Sequence, residues 1–122
     1  MLIKTTDPSQ CDPLDMDGTS GVSMRVLVGR EDGAPNFALR HFTVAPGGHT
    51  PKHHHNYEHE LVILAGSGEA EDRGTTHAIN AGDVLYVSPN DEHQFRNTGS
   101  EPLQMLCLVP LAAPCGMQVP GS

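Results

Sequence analysis

HHHNYEHELVILAG, residues 53–66, carries four of the chain's eight histidines at one end and a run of five apolar residues (61–65) at the other. In extended chain, side chains two apart share a face, so His53 and His55 point one way and His54 the other. A strand beginning at His59 puts His59, Leu61 and Ile63 on one face and Glu60, Val62 and Leu64 on the opposite one. A tight connection through Asn56, Tyr57 and Glu58 makes a hairpin that sets His59 beside His53 and His55. His93 follows the turn SPNDE far along the chain and is the fourth candidate. Neutral imidazole is the commonest protein ligand of late divalent metals, so four converging histidines mean a metal site. His54 reads as a solvated side chain, and His41, His49 and His77 as isolated polar residues.

Outward from this stretch the pattern stays β-like. Short segments at 22–28, 37–44, 49–55, 59–65, 68–72, 77–80, 84–88, 93–97 and 103–109 alternate with breaks such as EDGAPN, APGG, GSG, AGD and TGSEP. Thirteen glycines and ten prolines supply that turn chemistry. No stretch keeps a helical period with caps. Many short, evenly spaced strands imply a sandwich or barrel, here a single all-β domain. Residues 1–20 read as an extended arm, poorly ordered or draped on a partner, residues 21–112 as the barrel, and residues 113–122 as a tail.

Seven basic against fifteen acidic residues give a formal charge of −8, which argues against nucleic acid or acidic lipid as partner. No apolar run approaches the roughly 20 residues of a membrane span, and MLIKTTDPSQ is too polar for a signal peptide. A cytoplasmic location with no membrane partner is the expectation. Cys11, Cys107 and Cys115 are odd in number and lack metal-type C-x-x-C spacing, so no disulfide framework is expected.

Two spaced motifs now stand out. Gly47, five residues, His53-His54-His55 and then NYEHELVILAG ending at Gly66 form the first. Gly82, His93 eleven positions later and Asn97 four further on form the second. In this order they resemble the motifs of the cupins, over roughly three quarters of the chain from Gly21 to Pro110. The resemblance implies a cupin double-stranded β-helix, a jelly-roll barrel with a metal inside near one mouth. This chain departs from the family pattern in two places. SPNDEH carries its proline one place late and lacks the inner glycine. At the position of the family's ligating glutamate, counted back from Gly66, stands His59 flanked by Glu58 and Glu60. Counted forward from His55, Glu60 takes that place instead, whereas the strand alternation favours His59. HHHNYEHELVILAG, SPNDEHQFRN and LQMLCLVP are most similar to small single-domain bacterial cupins with an all-histidine site, a group with manganese-containing members.

The resulting expectation is one divalent transition metal per chain on His53, His55, His59 and His93, with Mn, Fe, Ni, Cu and Zn all open. A fourth imidazole in place of a carboxylate leaves the 2+ charge uncompensated, which raises Lewis acidity. Four ligands on an octahedral ion leave two positions for a bidentate substrate, or for substrate plus dioxygen. Candidate pocket residues are Arg40 and Phe42, which share a face of their strand, Phe95, and Cys107. Arg40 is either an inward cation able to hold a carboxylate through its fork or an outward, solvated one. Cys107 is either a soft pocket wall or a plain core residue. The function expected is a metal-dependent enzyme of oxygenase type on a small organic molecule. A non-catalytic small-ligand or metal-binding protein and a metal-dependent isomerase or lyase stand as alternatives. The apolar segment VSMRVLVG and its preceding arm leave a sheet edge, so a homodimer is expected in which the arm packs on, or exchanges with, the other subunit.

Overall fold

The structure, a computed structural model, describes residues 1–112; the expected tail and Cys115 lie outside them. Nine strands follow one another: β1 (Asp12–Pro13), β2 (Ser20–Val28), β3 (Phe37–His49), β4 (His59–Ala65), β5 (Ser67–Asp72), β6 (Thr75–Asn80), β7 (Val84–Val87), β8 (His93–Arg96) and β9 (Leu103–Pro110). Single 3-10 turns at Pro8–Gln10 and Arg30–Asp32 are the only helical segments among the described residues. Every pairing is antiparallel, as an all-β chain with short connections requires.

One curled sheet results, in the order β6-β5-β8-β3-β9-β4-β7, with β2 also on β3. Strand β3 makes the curl. Its length pairs with β2 and β9, and its last residue, His49, pairs with Arg96 of β8. The strands β9, β4 and β7 thus face β8, β5 and β6 across an interior. Alternation fills that interior: β9 turns in Leu103, Met105, Cys107 and Val109, and β4 turns in His59, Leu61 and Ile63. Register sets Leu61 beside Cys107 and Ile63 beside Met105, while β3 sets Arg40 beside Cys107 and Phe42 beside Met105. Each large apolar side chain so buried contributes roughly 2 kcal/mol.

One expected strand does not form. Residues 49–55 are not a strand; β3 runs on to His49, and beyond it only His53 pairs, in an isolated bridge to His93. Pro51 has no N–H to give a ladder. The Thr50 amide bonds the Phe95 carbonyl (2.9 Å), and His53 and His93 exchange backbone bonds of 3.2 and 2.9 Å. His53 is therefore carried by β8 rather than by a hairpin onto β4.

The first residues lie along their own chain. Asp12 and Pro13 pair with Met24 and Ser23 of β2, Lys4 Nζ donates to the Leu27 carbonyl (2.6 Å), and Leu14 packs against the core. No helix among the described residues is long and apolar enough to cross a membrane.

Candidate metal centre

The loop after β3 supplies His53 and His55, β4 opens with His59, and β8 opens with His93. Together they make one cluster. Ring centroids are 4.4 Å apart for His55–His59, 5.0 Å for both His53–His93 and His55–His93, and 5.3 Å for His59–His93. Potential ligand nitrogens of His53, His55 and His93 lie within 4.8 Å of one another. His59 joins through His55, their Nε2 atoms 2.6 Å apart.

The tautomers of two members follow from their partners. His55 Nδ1 donates to the Tyr57 carbonyl (2.9 Å) and His93 Nδ1 to the Asp91 carbonyl (2.8 Å), because a carbonyl only accepts. Their Nε2 atoms are left as lone pairs, held by the outer-atom bonds that orient metal-ligating histidines. His59 Nδ1 lies 3.1 Å from Cys107 Sγ. The short contact between the Nε2 atoms of His55 and His59 needs either a shared proton or a cation. A donor set of four neutral imidazoles fits a late divalent metal. Burial favours the neutral form of three of them: it pushes His59 down to about 2, aided by the Arg40 charge, and His55 down to about 4. It also lowers His53, as does charge on His93.

The cluster sits on the wall of a cavity of about 310 Å³. Arg40, Phe42, Phe95 and Cys107 all line it. Arg40 points inward and is 7% exposed. Its NH2 donates to Cys107 Sγ (3.1 Å), and its guanidinium carbon stands 4.9 Å over the Phe42 ring. Cys107 is at once a core residue, 1% exposed, and a cavity wall bonded to both Arg40 and His59. Burial raises its thiol pKa. Glu60 is exposed on the outer face of β4, opposite Tyr86.

The remaining histidines stand apart from the cluster. His54 is exposed at the cavity rim and His77 is exposed on β6. His41 is fully buried on the far face of β3, where Thr6 Oγ1 contacts its Nδ1 and Gln104 Oε1 its Nε2 (3.1 Å). Sequence reasoning missed Tyr57, whose ring stacks on His55 at 3.9 Å and 5°. It also missed the cavity wall made by Leu14 and Met16 of the arm with Met24 of β2. For Tyr57 the signal was there, since it continues the two-residue rhythm of His53, His55 and His59.

Residues 40–109 match the family model described as Cupin domain. The chain belongs to the cupin family. Its curled antiparallel sheet is the cupin double-stranded β-helix. Among solved structures, the polyketide cyclase RemF of Streptomyces resistomycificus superposes with a TM-score of 0.81 at 26% identity, covering 99% of this chain and 88% of that one. A cupin-2 domain of Rhodospirillum rubrum gives 0.77 at 26% identity, over 93% and 77% of the two chains. Auxin-binding protein 1 of Arabidopsis thaliana is 35% identical over 80% of this chain and 54% of its own length. A 1-methylthio-D-xylulose 5-phosphate methylsulfurylase of Rhodospirillum rubrum is 37% identical over 58% and 46%. This cupin thus spans about half the length of those two relatives.

Proposed function

We propose that this cupin is a metal-dependent enzyme acting on a small organic molecule, with one divalent transition metal on His53, His55, His59 and His93. The observation that carries the reading is the convergence of four imidazoles on a cavity wall, two of them with Nδ1 fixed on carbonyls and Nε2 free to ligate. A metal held there supplies a Lewis acid. The rest is the chain's own work. Phe42, Phe95 and Met105 wall the cavity with apolar surface that excludes water and strengthens every charge interaction inside it. Arg40 orients what binds, and Tyr57 and Cys107 hold His55 and His59 in place. Among the described residues no Asp or Glu lines the cavity, so chemistry on an already ionised substrate is favoured over proton abstraction by a carboxylate.

Oxygenase chemistry is the first reaction class. A metal-polarised cyclisation, isomerisation or lyase step is the second, favoured by the polyketide cyclase whose fold covers 99% of this chain. Oxygen uptake measured with diketones, flavonols or thiols separates them: uptake coupled to turnover supports the first, and turnover unchanged without oxygen supports the second. Metal binding without turnover returns the protein to a ligand-binding role. Manganese is the metal suggested by the sequence resemblance, whereas imidazole donors favour Ni, Cu and Zn on affinity; elemental analysis decides. A homodimer belongs to the same reading, supported by the exposed Val84 and Tyr86 on the terminal strand β7. A monomer by light scattering at tens of micromolar contradicts it.

A further inference from the structure

Arg40 is the group in this molecule whose burial is least explained by its partners. It is 7% exposed, and its Nε is buried with no hydrogen-bond partner. None of the ion pairs among the described residues includes it. Its neighbours are the Cys107 sulfur, a weak acceptor, and the face of Phe42. A buried cation without a counter-ion is strongly unfavourable, and proteins keep one where something else brings the opposite charge.

Nothing among the described residues brings it. The protein carries a formal charge of −8 overall, yet no acidic side chain lines the cavity among the described residues. The histidine cluster adds no negative charge either, since all four candidate ligands are imidazoles. With a divalent metal bound, the cavity holds three positive charges and no negative one. The walls facing this charge are apolar: Leu14, Met16, Met24, Phe42, Phe95 and Met105. Methionine and aromatic surface suits a flat or irregular hydrocarbon body.

We infer that the cavity takes an organic oxyanion on an apolar body, a carboxylate or an enolate, with its charged end between Arg40 and the histidine cluster and its body against the Met16–Met24–Phe42 wall. This rests on the metal-site reading for the second contact of the oxyanion, but the contact with Arg40 stands without it. The free Nε–H and the remaining guanidinium donors match the forked geometry of a carboxylate or of a 1,3-dicarbonyl enolate. A sugar or another neutral polyol would leave Arg40 uncompensated and put hydroxyls against methionine. Inorganic phosphate would satisfy the charge and leave the apolar wall unused.

The test is calorimetric titration of zinc-loaded protein with benzoate, acetylacetonate, benzamide and inorganic phosphate. Benzoate or acetylacetonate should bind at least tenfold more tightly than benzamide and phosphate, and whichever of the two is tighter says whether the site is built for a carboxylate or an enolate. In Arg40→Met the zinc content should be unchanged, the affinity for the tighter anion should fall at least tenfold and that for benzamide should hold. The ligand-free variant should also melt higher than the parent, because a methionine replaces an unpaired buried charge. Arg40→Lys keeps the charge without the fork; it should retain part of the anion affinity, and serves as the folded comparison if the methionine variant does not fold. Equal binding of benzoate and benzamide by the parent, or undiminished anion binding in Arg40→Met, overturns the inference. Absence of zinc from the parent overturns the metal site instead; benzoate should then still raise the melting temperature of the parent and not of Arg40→Met.

Discussion

Glu60 and His59 are adjacent in sequence and opposed in space. Strand alternation turns His59 inward, where it is 8% exposed, and leaves Glu60 in solvent. The choice between them was open to motif counting and was decided by the period of two, because shifting a strand by one residue exchanges its faces. His59→Ala should lower metal affinity at least tenfold, whereas Glu60→Gln should leave metal content intact; metal analysis after dialysis against a weak chelator reads both. What the residue pattern did not contain was Arg40's orientation, since an arginine satisfies either face of a strand until its neighbours are known. The histidines also set a pH dependence in metal-free protein. His55 titrates near 6.5 unfolded and is held down to about 4 by burial in the fold. Between those values the unfolded chain binds a proton that the folded one refuses, so stability is fully present above about pH 6.5 and falls as pH drops towards 4. Urea midpoints of chelator-treated protein at intervals from pH 7.5 to 4.5 should show this fall, and His55→Gln should make it shallower, leaving the part set by His59 and His53. A parent curve flat through that range contradicts the buried, neutral His55.

The loop over residues 50–58 separates what periodicity can say from what it cannot. The rhythm of His53, His55, Tyr57 and His59 was visible, and the cavity uses it: these side chains are all at least half-covered while His54, Asn56 and Glu58 are exposed. The expected strand was wrong because alternation reports which side chains face inward, not whether a neighbouring backbone is in reach. Eight of the nine expected segments had a neighbour along their length; residues 50–58 meet one only at separate points, through backbone bonds of Thr50, His53 and His55, with a single bridge at His53. The motif glycine and asparagine have roles at this scale too. Gly66 joins β4 to β5 at φ +84, and a Cβ there would press on the Pro102 carbonyl. Asn97 is 3% exposed; its Nδ2 donates to the carbonyls of Val44 and Glu101 (2.8 Å each), and its Oδ1 accepts from Gly99 N–H (2.9 Å). It ties the end of β8 to β3. Gly66→Ala and Asn97→Ala should each cost about 2 kcal/mol in chemical denaturation, the first through strain and the second through a carbonyl left buried and unpaired. A loss below about 0.5 kcal/mol in either would place it among ordinary surface substitutions.

At the scale of the molecule, a strongly acidic chain folds so that, among the described residues, its cavity holds imidazoles, the Arg40 guanidinium and apolar walls, with no carboxylate on them. The all-β barrel could be read from segment spacing and turn residues, and the family from two spaced motifs. The contribution of the first residues to the cavity could not, because Leu14 and Met16 reach it only after β1 has paired with β2. The metal centre depends on one structural feature: His53, His55, His59 and His93 meet. The measurement that tests this most directly is the metal content of untagged protein purified without chelator, beside that of a variant with His55→Ala and His93→Ala. The account predicts close to one divalent transition metal per chain in the parent and less than about a tenth of that in the double variant, since two of four ligands are gone. A parent without stoichiometric metal, even after incubation with Mn, Fe, Ni, Cu or Zn salts, or a double variant that keeps it, would contradict the account.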